Sequence, residues 1–510
     1  MESHPPAVDI VPARPTRVRY QILAAACVMA VIVYIHRVGF ARALPELTRD
    51  LGLQDHHAGW LIAAFLIAYG GFEMPWGLAG DRWGVRHLLP LVVLGWSLVT
   101  GLVAFADFFG LLLVLRFLFG FFQAGAFPLL SRMMTDWMPT HERGKAQGLI
   151  WMATRLGGMV SPLLVGGLIT WLGGWRAPLW IVATLGVLWS VAFWPWFRNR
   201  PEETARVNDA ERWLIEARPS PISSTSSDAI QELKGSTLSG PSAASAPPST
   251  GIKELKDGAI KSQHSQTPLA ATGIQDSAPI APGEQSPRSI PSPIDDQERS
   301  IAHGPIPWRR FLTSRSVWSL CFMYGCGGFA ANFYVTLLPT YLRNKRHLDP
   351  DDTNLLASLP FFFGAVACLL GGLLSDGIIR WTGNRKWGRR FNGTLGTIVA
   401  GFGWLAINWV DSTPALAFVL CLIFFCNDLA MGPAWAACAD IGERYAGTLG
   451  GAMNMIGNLA GAAGGVLTGY LFESRPELVF MIFAGSFWCG TLCWQGVDAT
   501  KKLSGGTEPS

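Results

Sequence analysis

The sequence predicts an all-α membrane protein of about twelve transmembrane helices in two six-helix bundles, and three observations carry that prediction. Half of the 510 residues are hydrophobic, only 15% are charged, and 22 are tryptophan, a balance suited to lipid rather than to water. Apolar runs of about 20 residues recur along the chain, bounded by charge, proline or paired glycine. A loop pattern and a glycine spacing each occur once in either half.

Taken in order, residues 1–19 are polar, and Arg14, Arg17 and Arg19 lead into an apolar run from Tyr20 to Phe40. That run is too long for a signal-peptide core and has no small-residue cleavage site, so it is expected to remain as the first span. The first six spans fall near 20–41, 58–79, 87–106, 110–135, 146–172 and 175–197. The second six fall near 315–338, 354–375, 391–410, 414–438, 447–472 and 477–497. Backbone polar groups inside hydrocarbon must bond within their own segment, so each span is a helix. The bundles are thus 20–197 and 315–497. Residues 198–314 join them, and from about Pro219 to Pro307 they turn rich in Ser, Pro, Gly and Gln, as expected of a mostly disordered linker.

Lys and Arg set the orientation. Arg82, Arg86, Arg143, Lys145, Arg198, Arg200, Arg380, Arg385, Lys386, Arg389, Arg390, Lys501 and Lys502 fall on one side if the spans alternate. That side is read as the cytoplasm, holding the 1–19 tail, the 198–314 loop and the 498–510 tail of a multi-pass cell-membrane protein. Arg343, Lys345 and Arg346 fall on the other side, next to Asp349, Asp351 and Asp352.

The repeat has two parts. Gly77, Asp81, Arg82 and Arg86 match Gly372, Asp376 and Arg380, each set following the second span of its half. Gly158, Pro162 and Gly166 in the fifth span match Gly461, Gly465 and Gly469 in the eleventh, a spacing that lets helix backbones approach closely. Glycine as common membrane-helix filler is the alternative for either match alone.

Residues 77–86 read G-x-x-x-D-R-x-G-x-R. The aspartate can accept hydrogen bonds at a helix end and pair with arginine, a cluster able to form and break as the halves rock. Asp81, Arg82, Arg86, Asp376 and Arg380 are therefore gate candidates, with topology as the plainer reading of the arginines. The motif resembles the signature of the major facilitator superfamily. A finer resemblance covers nearly all of the membrane part. It includes Tyr34-Ile35-His36-Arg37, Ala68-Tyr69 with Pro75, and Arg116 with Gly120, Gln123 and Phe127-Pro128. It continues through Phe197-Arg198-Asn199-Arg200-Pro201-Glu202-Glu203, Val207-Asn208-Asp209-Ala210-Glu211 and Leu338-Pro339-Thr340-Tyr341-Leu342. Together these resemble the anion:cation symporters, which implies transport of sugar acids, other carboxylates or phosphate-bearing anions by alternating access.

Function should lie with the charges inside the spans, each costing a few kcal/mol at mid-bilayer unless it faces water or a partner. Arg37 presents a permanently charged fork that suits a carboxylate, and the resemblance implies that it binds substrate. Pairing with Glu73 or Asp428 is its structural alternative. Arg155 is a second such cation, which the half-to-half alignment sets opposite Asn458, with Asn454 one turn earlier. Arg37 and Arg155 together would accommodate two anionic groups, or one anion and a polyol; snorkelling is the alternative for Arg155. Tyr69, Asn332, Thr336, Asn454 and Asn458 are candidate hydroxyl or amide partners, or else glue between helices, and Trp151 could stack on an apolar ring face or simply pack.

Coupling is where the chain departs from the family, which implies an aspartate before the first-span arginine and a glutamate in the fourth span. Those positions hold His36 and Gln123, and glutamine does not titrate. A proton carrier would then be His36, Glu73 or Asp428, with structural pairing to an arginine as the alternative for either carboxylate. Sodium coupling, anion exchange and facilitated diffusion are the other modes. Arg116 shares one face of its helix with Gly120 and Gln123, and the resemblance implies a gating or charge-balancing role for it.

Other classes are weighed against this. A net charge of +4 with scattered basic residues argues against a nucleic-acid partner. The nine cysteines form no C-x-x-C pair, and no two histidines share a helix at ligand spacing, so neither a metal nor a cofactor is expected. No nucleophile with a base points to an enzyme. The partners expected are a small organic anion, protons if transport is coupled, and the bilayer. An organophosphate exchanger and a transporter-fold receptor are the alternative functions.

Overall fold

The computed structural model describes residues 14–216, 306–334, 338–344, 346, 348–472 and 474–504. Most of the expected 198–314 linker, and Thr336, lie outside the described residues.

Among the described residues all twelve expected crossings are helical. The first three are α1 (Val18–Asp50), α2 (Asp55–Trp83) and α3 (Val85–Val103). The fourth is split into α4 (Phe109–Gln123) and α5 (Ala126–Trp137), and α6 (Arg143–Leu172) and α7 (Arg176–Trp196) complete the first half. Two short helices flank the linker, α8 (Asp209–Glu216) and α9 (Trp308–Thr313). The seventh crossing joins α10 (Arg315–Asn332) to α11 (Leu338–Asn344), followed by α12 (Pro350–Thr382) and α13 (Arg385–Ala406). The tenth is split again, into α14 (Thr413–Leu429) and α15 (Met431–Gly442), before α16 (Ala446–Leu471) and α17 (Pro476–Gly496).

The two splits share a cause. Pro128 and Pro433 lack the N–H that would bond to the carbonyl four residues back, so the ladder breaks near Ala124 and Ala430. Gln123 and Asp428 stand just before these breaks, at matching positions of the two halves.

The halves meet along two helix pairs, α2 against α16 and α6 against α12. One apolar core joins the first half to the ends of the second-half helices near the chain termini, through Trp435, Tyr445, Leu449 and Met453. A separate core, with Phe333, Tyr334, Trp404 and Phe483, belongs to the second half alone and lies toward the opposite face. The halves are therefore packed together on the termini face and part toward the other. On that opposite face Arg346 donates to the carbonyls of Val410 and Asp411 at 2.6 and 3.1 Å, binding two loops together.

Val207-Asn208-Asp209-Ala210-Glu211 has a structural task in this fold. Glu211 is fully buried and accepts from the backbone N–H groups of Val18 and Arg19 at 3.2 Å, two of the orphan donors that open α1. Arg19 adds an ion pair to Glu211 at 3.0 Å and a second to Glu142 at 3.1 Å. Asn199 caps α3 in the same manner, accepting from Val85 and Arg86 at 2.9 Å. The Glu211→Ala protein is expected to lose about 3 kcal/mol, because two N–H groups are left buried without their acceptor and Arg19 loses one of its two carboxylate partners. A clear fall in detergent melting temperature checks this, and Glu211→Gln should fall less; an unchanged melt would rule the brace out.

Candidate functional site

The termini face is closed by two carboxylates that each cap a helix of the other half. Asp81, at the end of α2, accepts from the N–H groups of Gly447 and Thr448 at 2.9 and 2.6 Å and from the Thr448 hydroxyl at 2.7 Å. Asp376, at the end of α12, accepts from the N–H groups of Gly144 and Lys145 at 3.1 and 2.6 Å. Both carboxylates thus sit on the positive end of a helix, α16 or α6, satisfying its orphan donors. Their cations differ from those the sequence suggests. Asp376 pairs with Arg389 at 2.7 Å, and Arg132 approaches Asp81 at 3.9 Å. Arg82 and Arg380 are exposed on this face, and Arg86 lies beside the Asn199 cap. Fully buried Arg389 also pairs with Asp440 at 3.0 Å, and Asp440 pairs with Arg143 of the first half at 2.8 Å. Arg132, Arg389 and Asp440 thus belong to the ion-pair layer of the termini face and were missed by sequence reasoning; only the half-to-half offset could have pointed to them.

Glycine permits this closeness. A Cβ on Gly77 would stand 2.1 Å from the Gly447 carbonyl oxygen, and one on Gly372 2.2 Å from that of Gly144. Above this layer an aromatic floor spans both halves. Phe127 stacks on Trp151 at 4.9 Å, Trp151 meets Trp435 at 5.6 Å, and Trp435 reaches Tyr324 at 6.0 Å. Trp151 is 5% exposed, so it is part of this floor rather than a free stacking face.

Next come two polar latches, about 15–18 Å along α2 and α6 from the termini face at 1.5 Å per residue, near mid-membrane. In the first, Glu73 of α2 is fully buried and accepts from Asn458 at 3.0 Å and from Asn454, which also donates to the Tyr69 hydroxyl at 3.3 Å. In the second, Arg155 of α6 grips Asp428 of α14 bidentately at 2.5 and 2.8 Å, and Asn427 donates to the same carboxylate at 3.1 Å. The latches are reciprocal: each carboxylate is held by side chains of the other half, from the helices α6 and α16 that the repeat sets opposite each other. Gly364 leaves room for Asp428, since a Cβ there would come 2.4 Å from its oxygen.

Arg155 is therefore neutralised by Asp428, a correction to its expected role as a second free cation for substrate. Arg37 differs. It lies over the rings of Tyr69 at 4.5 Å and Phe65 at 4.8 Å, half-buried, and among the described residues it forms no ion pair. Arg116 is buried behind it, against Phe40 at 3.8 Å and Phe119 at 4.9 Å, also without a carboxylate among the described residues. Two cations thus stand among aromatic rings, and among the described residues neither has a carboxylate partner.

The remaining candidates lie elsewhere. His36 bonds Thr100 of α3 at 3.1 Å and faces Trp96, on a different side of α1 from Arg37. Adjacent residues of a helix point about 100° apart, which separates the two. Gln123 is fully buried and donates to the Val33 carbonyl at 3.2 Å, tying α4 to α1. Asn332 closes α10, and its side chain lies outside the described residues.

Two pseudo-symmetric helical halves, closed on one face and polar at their centre, define a membrane transporter rather than an enzyme. The comparisons with known proteins agree: residues 26–465 match the model of the Major Facilitator Superfamily, and the chain belongs to that family. It is 29% identical to a probable sulfoacetate transporter of Cupriavidus necator, over 93% of each chain. It is 24% identical to the hexuronate transporter of Bacillus subtilis, over 90% of this chain and 87% of that one. The solved proton:xylose symporter XylE superposes with a TM-score of 0.62 at 14% identity, covering 95% of this chain and 96% of that chain, which shows the fold.

Proposed function

We propose that this protein carries a small organic anion, a sugar acid or a short carboxylate or sulfonate, across a cell membrane by alternating access. The observation that carries this reading is Arg37, a cation without an ion pair among the described residues, stacked on Tyr69 one turn from Glu73. Similarity to a sulfoacetate and a hexuronate transporter supports the same substrate class. The termini face is taken as cytoplasmic, because lysine and arginine collect there. On that basis the state described here has its cytoplasmic gate closed.

In this reading the anion enters from the open face and bonds Arg37, with Arg116 balancing charge behind it and Tyr69 positioning it. Glu73 is the proton carrier, since it lies one turn from the ring that Arg37 covers and, among the described residues, is held by the neutral amides of Asn454 and Asn458 across the interface. Protonation would remove the charge those amides grip and so loosen α2 from α16 as the anion binds. Asp428 is the second candidate carrier; it must first leave Arg155. An organophosphate exchanger that uses Arg37 and Arg155 together fits less well, because Arg155 is already held by Asp428.

The test is uptake by proteoliposomes of labelled sulfoacetate, hexuronates, galactarate and phosphate esters, with and without an inward proton gradient. Gradient-stimulated carboxylate or sulfonate uptake is expected. Selective uptake of phosphate esters would replace this reading with the exchanger, and binding without any uptake would replace it with a receptor. In the Glu73→Gln protein gradient stimulation should vanish while exchange of internal for external anion persists. Stimulation at the wild-type level would move the carrier to Asp428.

A further inference from the structure

At the termini end of the second bundle a cavity of about 410 Å³ lies where α10 and α13 begin and α17 ends. Arg315, Lys386, Arg390 and Lys501 line it, and one carboxylate, Asp498, shares it. The volume falls within the roughly 300–1,000 Å³ of small-molecule sites.

The carboxylate is already engaged. Thr500 donates to it from its N–H at 3.2 Å and its hydroxyl at 2.7 Å, and Lys386 stands at 3.6 Å. Burial works to raise the Asp498 carboxyl, but the Thr500 hydrogen bonds and the charges of Lys386 and Arg390 hold it below the usual carboxylate range. It therefore cancels one positive charge of four.

One carboxylate, shared by Lys386 and Arg390, leaves the wall of four cations strongly positive. Arg390 is 8% exposed, its Nε donates to the Val497 carbonyl, and Arg315 stands close enough to repel it. Among the described residues neither guanidinium has an ion-pair partner. Two nearby forks in one concave wall match the oxygens of a phosphate.

The depth of the cavity narrows the ligand. Trp308, Trp381 and Trp387 are exposed around this end of the bundle, as tryptophans at headgroup level are. Phe391 and Leu395 continue along α13 as exposed apolar side chains, a surface for acyl chains. We propose that this cavity binds a phosphate-bearing anion, and that its source is the headgroup of an anionic phospholipid.

The test uses the full-length protein, delipidated in neutral detergent and followed by native mass spectrometry. Phosphatidylglycerol and phosphatidylcholine are added in parallel, and inorganic phosphate in a third arm. Phosphatidylglycerol should bind about tenfold better than phosphatidylcholine, and the Arg315→Gln/Lys501→Gln protein should lose that preference, since each cation near a membrane surface adds several-fold. The double variant leaves the buried Arg390 in place, and its lipid-free melting temperature reports folding. Millimolar inorganic phosphate displacing phosphatidylglycerol would keep the site and make free phosphate its ligand. Equal binding of the two lipids, or full preference in a folded double variant, would overturn the proposal.

Discussion

The Arg37→Gln protein should lose uptake by about 100-fold or more, while its melting temperature stays the same or rises. A charge-assisted bond to an anion is worth about 3 kcal/mol, which corresponds to roughly that factor in affinity. Stability should not suffer, because the change removes an intramembrane charge that has no ion pair among the described residues. Arg37→Lys should recover only part of the activity, since an ammonium cannot present two parallel donors while lying flat on the Tyr69 ring. Uptake near wild type in Arg37→Gln would remove the anion site from this position.

The second large effect is expected in Gly372→Val. Its Cβ would meet a backbone carbonyl, that of Gly144, at a distance no rotamer change can relieve. The closed state described here should then be inaccessible. Transport should stop while the termini face stays open. Spin labels at Arg82 and Arg380, exposed on opposite halves, would report this as a longer distance in a background stripped of the nine free cysteines. A wild-type distance with normal uptake would show that α6 and α12 need not approach so closely.

The twelve spans were legible because hydrocarbon allows one backbone solution, and lipid length sets its size. The Asp81 and Asp376 repeat was legible for a different reason: both halves use one local device, a carboxylate at a helix end. What each carboxylate meets was not, because Asp81 finds Gly447 across 366 residues and Arg155 finds Asp428 across 273. No local pattern carries such pairings. Arg155 looked like a free cation for that reason. His36 and Arg37 are different, since helix geometry alone would have turned neighbours toward different surfaces. The splits in the fourth and tenth spans were present in the sequence as Pro128 and Pro433, and they mark where Gln123 and Asp428 stand.

The brace at Glu211 bears on the order of assembly. Every group that seals the start of α1, from Thr16 to Glu142 and Glu211, lies within the first 216 residues. During synthesis, which proceeds from the N-terminus, those groups leave the ribosome before any residue of the second bundle exists. The first six helices can therefore be locked as a finished unit, with Asp81 still waiting for its helix. The second bundle is then made against a template already in place: Asp376 emerges in time to cap α6, and the cap of Asp81 on Gly447 and Thr448 is the later of the two seals to form.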